Sequence, residues 1–261
     1  MENVRIHKTA IIHPGAELSS GVTVGPYSII EEGVRLGDNV RVGSHCVITG
    51  QTLIGRNSRI YTGAVVGSTP QDKKHATDDN VFLNIGEDNV IREYVTMNPG
   101  TAKGGGKTVI GNNNLFMAYS HIAHDCIVGN NCVMANGATL AGHVTLEDNT
   151  VIGGLSAVHQ FVRLGRLSIV GGCTKVIQDI PPFSMCVGHP ARVIKTNTVG
   201  LKRAKFSDET ITGLNKAFKI LFRSKLSKTT AIERVSKEIK YCPELEHLIF
   251  FCKTTKRGLC S

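Results

Sequence analysis

The chain has 261 residues with no Trp, only 5% aromatics and 28 Gly, too few large rings for a broad globular core. No window reaches the roughly 18 apolar residues of a membrane span, and the N-terminus lacks the charged start and apolar run of a secretory leader, so a cytoplasmic protein is expected. The net charge of +9 is uneven: residues 191–261 hold 16 Lys/Arg against 6 Asp/Glu, whereas residues 1–190 hold 14 against 15. Such an asymmetry can serve solubility or steer an acidic partner. Nucleic acid fits less well, because neither a recognised motif nor a run of stacking aromatics accompanies the charge.

From Ile6 to Val66 an apolar residue falls at every sixth position (Ile6, Ile12, Leu18, Val24 and onward), and a small or β-branched residue follows four places later from Ala10 to Ala64. Neither a helix nor an alternating strand has this period. It is the mark of hexapeptide repeats, each laying one short flat face with its apolar residue inward. Three faces close a triangular coil of eighteen residues, and coils stack at about 4.8 Å. The fold expected is mainly β: a left-handed parallel β-helix over residues 1–190, then a small α-helical domain over 191–261.

Two insertions, 67–84 and 98–109, break the ladder and should form external loops, which in repeat proteins often flank a binding face. The first carries Gln71, Asp72, Lys73 and Lys74; the second is so rich in Gly and Lys that it reads as a mobile loop without chemistry. The ladder then runs unbroken from Ile110 to Val176 and should end at Pro181-Pro182, which cannot continue sheet pairing. Residues 183–206 read as an irregular connector. Helices follow: one opened by Ser207 as N-cap with acids in its first turn, one over 229–240, and one begun by Pro243 at N1. None of the eight cysteines forms a C-x-x-C pair, and Cys46, Cys126 and Cys132 occupy inward small positions, so they read as reduced packing residues.

In this phase His121, His124, His143 and His159 all point outward. Counting in eighteens puts His124, Gly142 and Gln160 in one column and Asp125, His143 and Phe161 in the next. An imidazole can take a proton from a hydroxyl at neutral pH, a neighbouring carboxylate can fix its tautomer, and a bare glycine N–H can meet an oxyanion. Such a patch fits acyl transfer. A prism of this kind exposes flat faces, and threefold assembly around parallel prisms, with clefts between subunits, is the expected quaternary state.

The runs Ser120-His121-Ile122-Ala123-His124-Asp125-Cys126, Ala141-Gly142-His143-Val144, Val158-His159-Gln160-Phe161, Pro70-Gln71-Asp72 and Gly200-Leu201-Lys202-Arg203 resemble, in order, the signature of the UDP-N-acetylglucosamine O-acyltransferases of lipid A biosynthesis. The resemblance covers essentially the whole chain and its helical tail. It implies transfer of a fatty acyl group, expected to be 3-hydroxylated, from acyl carrier protein to the sugar 3-position of UDP-GlcNAc, with no cofactor beyond the carrier's phosphopantetheine. By resemblance, His124 is the general base, Asp125 orients it and the Gly142 N–H holds the oxyanion. Gln71, Asp72, Lys74, His121 and His143 would line the sugar–phosphate and acyl side. His159, Gln160, Asn197 and Arg203 would contact or support the nucleotide end. Ile169 and Gly172 would form the acyl-chain ruler, and the basic tail would meet the acidic carrier. Val199 stands where some members carry Glu and Ala204 where some carry a second Arg; Lys73 and His75 also depart from common loop residues.

Two relatives in chemistry or fold remain as alternatives: an N-acyltransferase or a variant selective for a 3-amino sugar, and a zinc hydratase of the γ-carbonic-anhydrase type. The hydratase requires a histidine pair spaced H-x4-H across a trimer interface, whereas this chain has His121-x-x-His124.

Overall fold

The structure is a computed structural model that describes residues 3–73 and 80–260. Lys74 and His75 therefore lie outside the described residues. Strands mostly of two residues stack into three sheets of eleven, nine and eight strands, parallel throughout except for the last pair of the eleven-stranded sheet. The eighteen-residue register holds throughout the long ladder, where Ile122 pairs with Leu140 and Leu140 with Val158. Each insertion is bridged in phase: Ile60 pairs with Ile91 and Met97 with Ile122. Inward residues consequently stack like on like, and Phe116, Ile122, Met134, Leu140 and Ile152 are fully buried. Each such side chain contributes about 1.5–3 kcal/mol relative to exposure.

Small polar residues are tolerated inside because the coil supplies acceptors. The Ser28 hydroxyl donates to the Gly43 carbonyl at 2.7 Å, Ser156 to Gly171 at 2.8 Å and the Cys126 thiol to Ala141 at 3.3 Å. One residue at most corners takes the left-handed conformation; at the corner holding the histidines these are Asp125, His143 and Phe161, with φ of 59°, 62° and 64°. That corner geometry aims the three side chains off the prism.

The double proline does not end the sheet. Pro181 and Pro182 occupy a turn that requires no ladder N–H, and the Ser184 hydroxyl closes it onto the Pro181 carbonyl at 2.6 Å. Ser184–Gly188 then pairs in parallel with Ile169–Val170 and turns back into antiparallel Ala191–Thr196. The stretch 183–206 is thus a hairpin followed by a short helix, α1 (Thr198–Arg203), and the 190/191 boundary falls inside the hairpin's turn.

Helix α2 (Asp208–Arg223) begins as expected, with the Ser207 side chain accepting from the Thr210 N–H. Helix α3 (Lys228–Glu238) starts earlier than 229, because Ser227 caps it. Helix α4 (Pro243–Thr254) has its proline at the first position. Their apolar faces, Ile211, Leu214, Phe218, Val235 and Leu248 among them, close over Leu167 and Phe183 of the β-helix end. No helix among the described residues is long and apolar enough to cross a membrane.

Candidate active site

His124 and Asp125 form one corner turn between the strands His121–Ile122 and Ile127–Val128. His124 Nδ1 lies 2.7 Å from Asp125 Oδ2. The carboxylate only accepts, so Nδ1 carries the proton and the Nε2 lone pair is free for substrate. The outward phase implies a solvated carboxylate, yet the Asp125 side chain is 1% exposed. The second insertion covers it: the Thr101 N–H donates to Oδ1 at 2.9 Å and the Thr101 hydroxyl to Oδ2 at 2.7 Å. Gly104 packs directly on the carboxylate, where a Cβ would sit 2.1 Å from Cγ. The loop read as having no chemistry thus holds the carboxylate that holds the imidazole.

Gly142 lies on the next coil, directly against the His124 ring: a Cβ built on it would meet Cε1 at 2.5 Å and Nε2 at 2.7 Å. Its N–H donates to no acceptor among the described residues. His143 stands edge-on to His124 at 5.2 Å and stacks on Phe161 at 4.4 Å. Its Nε2 is 3.6 Å from Asp125 Oδ2, within the carboxylate's field but beyond a hydrogen bond. Burial lowers the His143 pKa against the opposing pull of Asp125 and, more weakly, Asp72. His121 meets the Thr96 hydroxyl through Nδ1 at 2.7 Å. Its pKa is lowered by burial and by the neighbouring His124. Both rings are therefore neutral at pH 7, and the corner is not crowded with positive charge.

His159 and Gln160 follow on the coil after Gly142 and are exposed. Ile169 and Gly172, expected as the acyl-chain ruler, are elsewhere: Ile169 lies in the sheet containing Val151–Ile152, and Gly172 at the next corner, against Gly154. Asn197 is occupied structurally, accepting from the Gly200 N–H to cap α1 and donating to the Leu167 carbonyl. Arg203 ends α1 and is exposed, as is Gln71 in the first loop. One chain thus unites His121, His124, Asp125, Gly142 and His143, with Asp72 close enough to act on His143. It leaves Ile169 in a different sheet, Gly172 at another corner, and Asn197 and Arg203 at the two ends of α1.

Residues 179–260 match the family pattern described as UDP-N-acetylglucosamine O-acyltransferase, domain 2, and residues 107–142 match the bacterial transferase hexapeptide pattern of six repeats. The chain is 50% identical, over 98% of its length and 98% of the relative's, to the acyl-[acyl-carrier-protein]–UDP-N-acetylglucosamine O-acyltransferase of Myxococcus xanthus. It is equally close, over the same shares, to that of Thermodesulfovibrio yellowstonii. The chain belongs to the UDP-N-acetylglucosamine O-acyltransferase family. Among solved structures, LpxA from Acinetobacter baumannii superposes with a TM-score of 0.95 at 39% identity, covering 98% of this chain and 99% of that one. The UDP-N-acetylglucosamine acyltransferase from Campylobacter jejuni superposes at 0.92, also with 39% identity and covering 98% and 99% of the two chains.

In this member of the O-acyltransferase family, three ligand atoms of His124, Asp125 and His143 lie within 4.8 Å of one another, the minimum a metal would require. The donor set fits a metal poorly. His124 Nδ1 and Asp125 are engaged with each other, and both carboxylate oxygens already accept from Thr101. Thr101 was not legible as a site residue, because the eighteen-residue count does not extend into an insertion. Thr101→Val is expected to lower kcat about tenfold and stability by about 1.5–3 kcal/mol, the worth of one hydrogen bond to a buried charge. Steady-state rates and urea unfolding check this; an unchanged kcat would reduce the loop to a cover.

Proposed function

We propose that the chain is the enzyme its relatives are named for, moving a fatty acyl group from acyl carrier protein to the 3-hydroxyl of UDP-N-acetylglucosamine, the first step of lipid A biosynthesis. The observation that carries the mechanism is the His124–Asp125 pair lying against Gly142. His124 Nε2 takes the hydroxyl proton as the oxygen attacks the thioester carbonyl. The oxyanion formed accepts from the Gly142 N–H, a donor worth roughly 3–4 kcal/mol in such a role. Collapse breaks the C–S bond, and the imidazolium returns its proton to the departing phosphopantetheine thiolate. Attack is direct: Cys126, the thiol nearest in sequence, is buried, donates to the Ala141 carbonyl and has its pKa pushed up to about 12 by burial. No metal and no other cofactor enters this sequence of steps.

The separation of Ile169, Gly172, Asn197 and Arg203 from the His124 corner supports a homotrimer in which a neighbouring prism completes the cleft. Gln71, Asp72, His121 and His143 then flank the acceptor on the first chain, with His159 and Gln160 toward the nucleotide. The excess of Lys/Arg in 191–261 suits an acidic carrier protein in the cytoplasm. At Gly172 an added Cβ meets only the Gly154 carbonyl, at 3.3 Å, and the main-chain nitrogen of Gly154, at 3.9 Å, so a longer side chain projects outward from the prism. Gly172→Met is accordingly expected to shorten the preferred acyl chain without lowering the melting temperature; an unchanged preference removes Gly172 from the ruler. The function itself is tested with a panel of acyl-carrier-protein donors and of UDP-GlcNAc and its 3-amino analogue as acceptors. Ester formation on UDP-GlcNAc is expected, and exclusive transfer to the amine would overturn the acceptor assignment.

A further inference from the structure

The last residues of the chain return to the β-helix and are held there by one buried residue, Asp179, which is 1% exposed. Its Oδ2 accepts from the Thr255 hydroxyl at 2.7 Å and its Oδ1 from the Arg163 N–H at 2.9 Å. Its own N–H donates to the Gly258 carbonyl at 2.8 Å, and its carbonyl accepts from the Cys260 N–H at 3.0 Å. Cys260 is buried, with its sulfur 3.4 Å from that of Cys186. These anchors lie on both sides of Arg257 and fix the backbone that carries it. The guanidinium consequently reaches His159, with Nη2 3.0 Å from Nδ1.

A guanidinium has no lone pair to offer. Nδ1 must therefore present its own, which makes His159 the Nε2–H tautomer. A second contact competes for the same atom: Nδ1 is 3.2 Å from the Gln160 carbonyl, a bond that would require the proton on Nδ1. One nitrogen cannot serve both. The charged donor gives the shorter and stronger bond, so Arg257 decides which tautomer the ring adopts.

We infer that Arg257 is a positioning residue of the transferase: by holding Nδ1, it makes His159 a hydrogen-bond donor toward the nucleotide end of the acceptor. This rests on the functional reading above. Gln160 shares the column of His124 and Gly142, so His159 lies two coils along the axis, roughly 10 Å from the base, where the phosphates and uridine of a sugar nucleotide offer acceptors. Without Arg257 the ring turns its proton to the Gln160 carbonyl and presents a lone pair to those same oxygens. The contact is solvent-exposed and contributes little to stability; its consequence is the polarity of one ring edge.

Two measurements on the full-length protein test this. In histidine-labelled protein without substrate, carbon and nitrogen shifts read the His159 tautomer, assigned with His159→Ala. Nε2–H is expected in the wild type, a shift toward Nδ1–H in Arg257→Ala, and recovery in Arg257→Lys, which restores a charged donor. Kinetically, Arg257→Ala should raise the KM for UDP-GlcNAc about tenfold, the loss of one hydrogen bond to a charged group. Its kcat and its KM for the acyl carrier should stay near wild type. Combining it with His159→Ala should add no further rise. An unchanged tautomer, a KM effect that persists in the His159→Ala background, or a fall in kcat with KM unchanged would each overturn the assignment. A wild type that does not acylate UDP-GlcNAc would refute the functional reading and this inference with it, and that result is seen before any variant is made.

Discussion

Replacing His124 with alanine is expected to slow transfer by about 10²–10⁴-fold, the usual worth of a positioned general base, while leaving a folded β-helix. The ring projects from the corner and its 16% exposed side chain packs none of the inward columns. Its removal deprives Asp125 of one partner, but the carboxylate keeps both bonds from Thr101. The stability cost should stay within about 1–3 kcal/mol. The KM values for both substrates should change far less than kcat, because the lost interaction is made to a proton in flight. Steady-state kinetics with a urea melt separates these effects. A His124→Ala enzyme within tenfold of wild type would remove this residue from the chemistry.

Gly142→Ala should be nearly as damaging without touching a titratable group. The Cβ would lie 2.5 Å from His124 Cε1 and 2.7 Å from Nε2, closer than a Cβ approaches any non-bonded atom, so the ring must leave its position. Gly142 is not among the residues of positive φ; the backbone accepts alanine, and the damage is confined to the base and the oxyanion donor. A loss of about 10²–10³-fold in kcat is expected, comparable with removal of one oxyanion-hole donor. The melting temperature should change little. Gly15→Ala is the matched control, since Gly15 lies in an N-terminal coil away from the site, has no positive φ, and its Cβ would first meet the flexible Glu32 side chain, at 3.0 Å to Cγ; it should run near the wild-type rate. Equal effects at the two glycines would show that generic distortion of the coil is being measured.

The eighteen-residue count carried the reading of the site as far as it could. It placed Gly142 over His124, and His143 over Asp125 with Phe161 beyond, because a solenoid turns sequence distance into spatial distance. It also set the register across both insertions, since the inward columns on either side must match. It failed wherever contacts depend on conformations that no repeat dictates. Thr101 reaches Asp125 from within a Gly/Lys-rich insertion, so phase alone gave the direction of the carboxylate but not its cover. The hairpin 184–196 follows two prolines that were read as a stop; they occupy the turn, and pairing resumes at Met185 against Ile169. The tail that brings Arg257 to His159 is separated from it by 98 residues and by the whole helical domain, a distance that local pattern does not span. Asn197, which the resemblance implies contacts or supports the nucleotide end, has its side chain capping α1 and bonding the Leu167 carbonyl, contacts that no repeat count reaches.

The claim on which the rest depends is transfer in a single step from carrier to sugar, with no acylated protein between them. Single-turnover mixing of enzyme with radiolabelled acyl carrier protein, quenched with and without UDP-GlcNAc and resolved by intact mass, examines that step. Unmodified enzyme is expected at every time point, with one acyl group appearing on the sugar nucleotide at the rate the carrier loses it. An acyl–enzyme adduct that forms without acceptor and is consumed when UDP-GlcNAc is added would contradict single-step transfer.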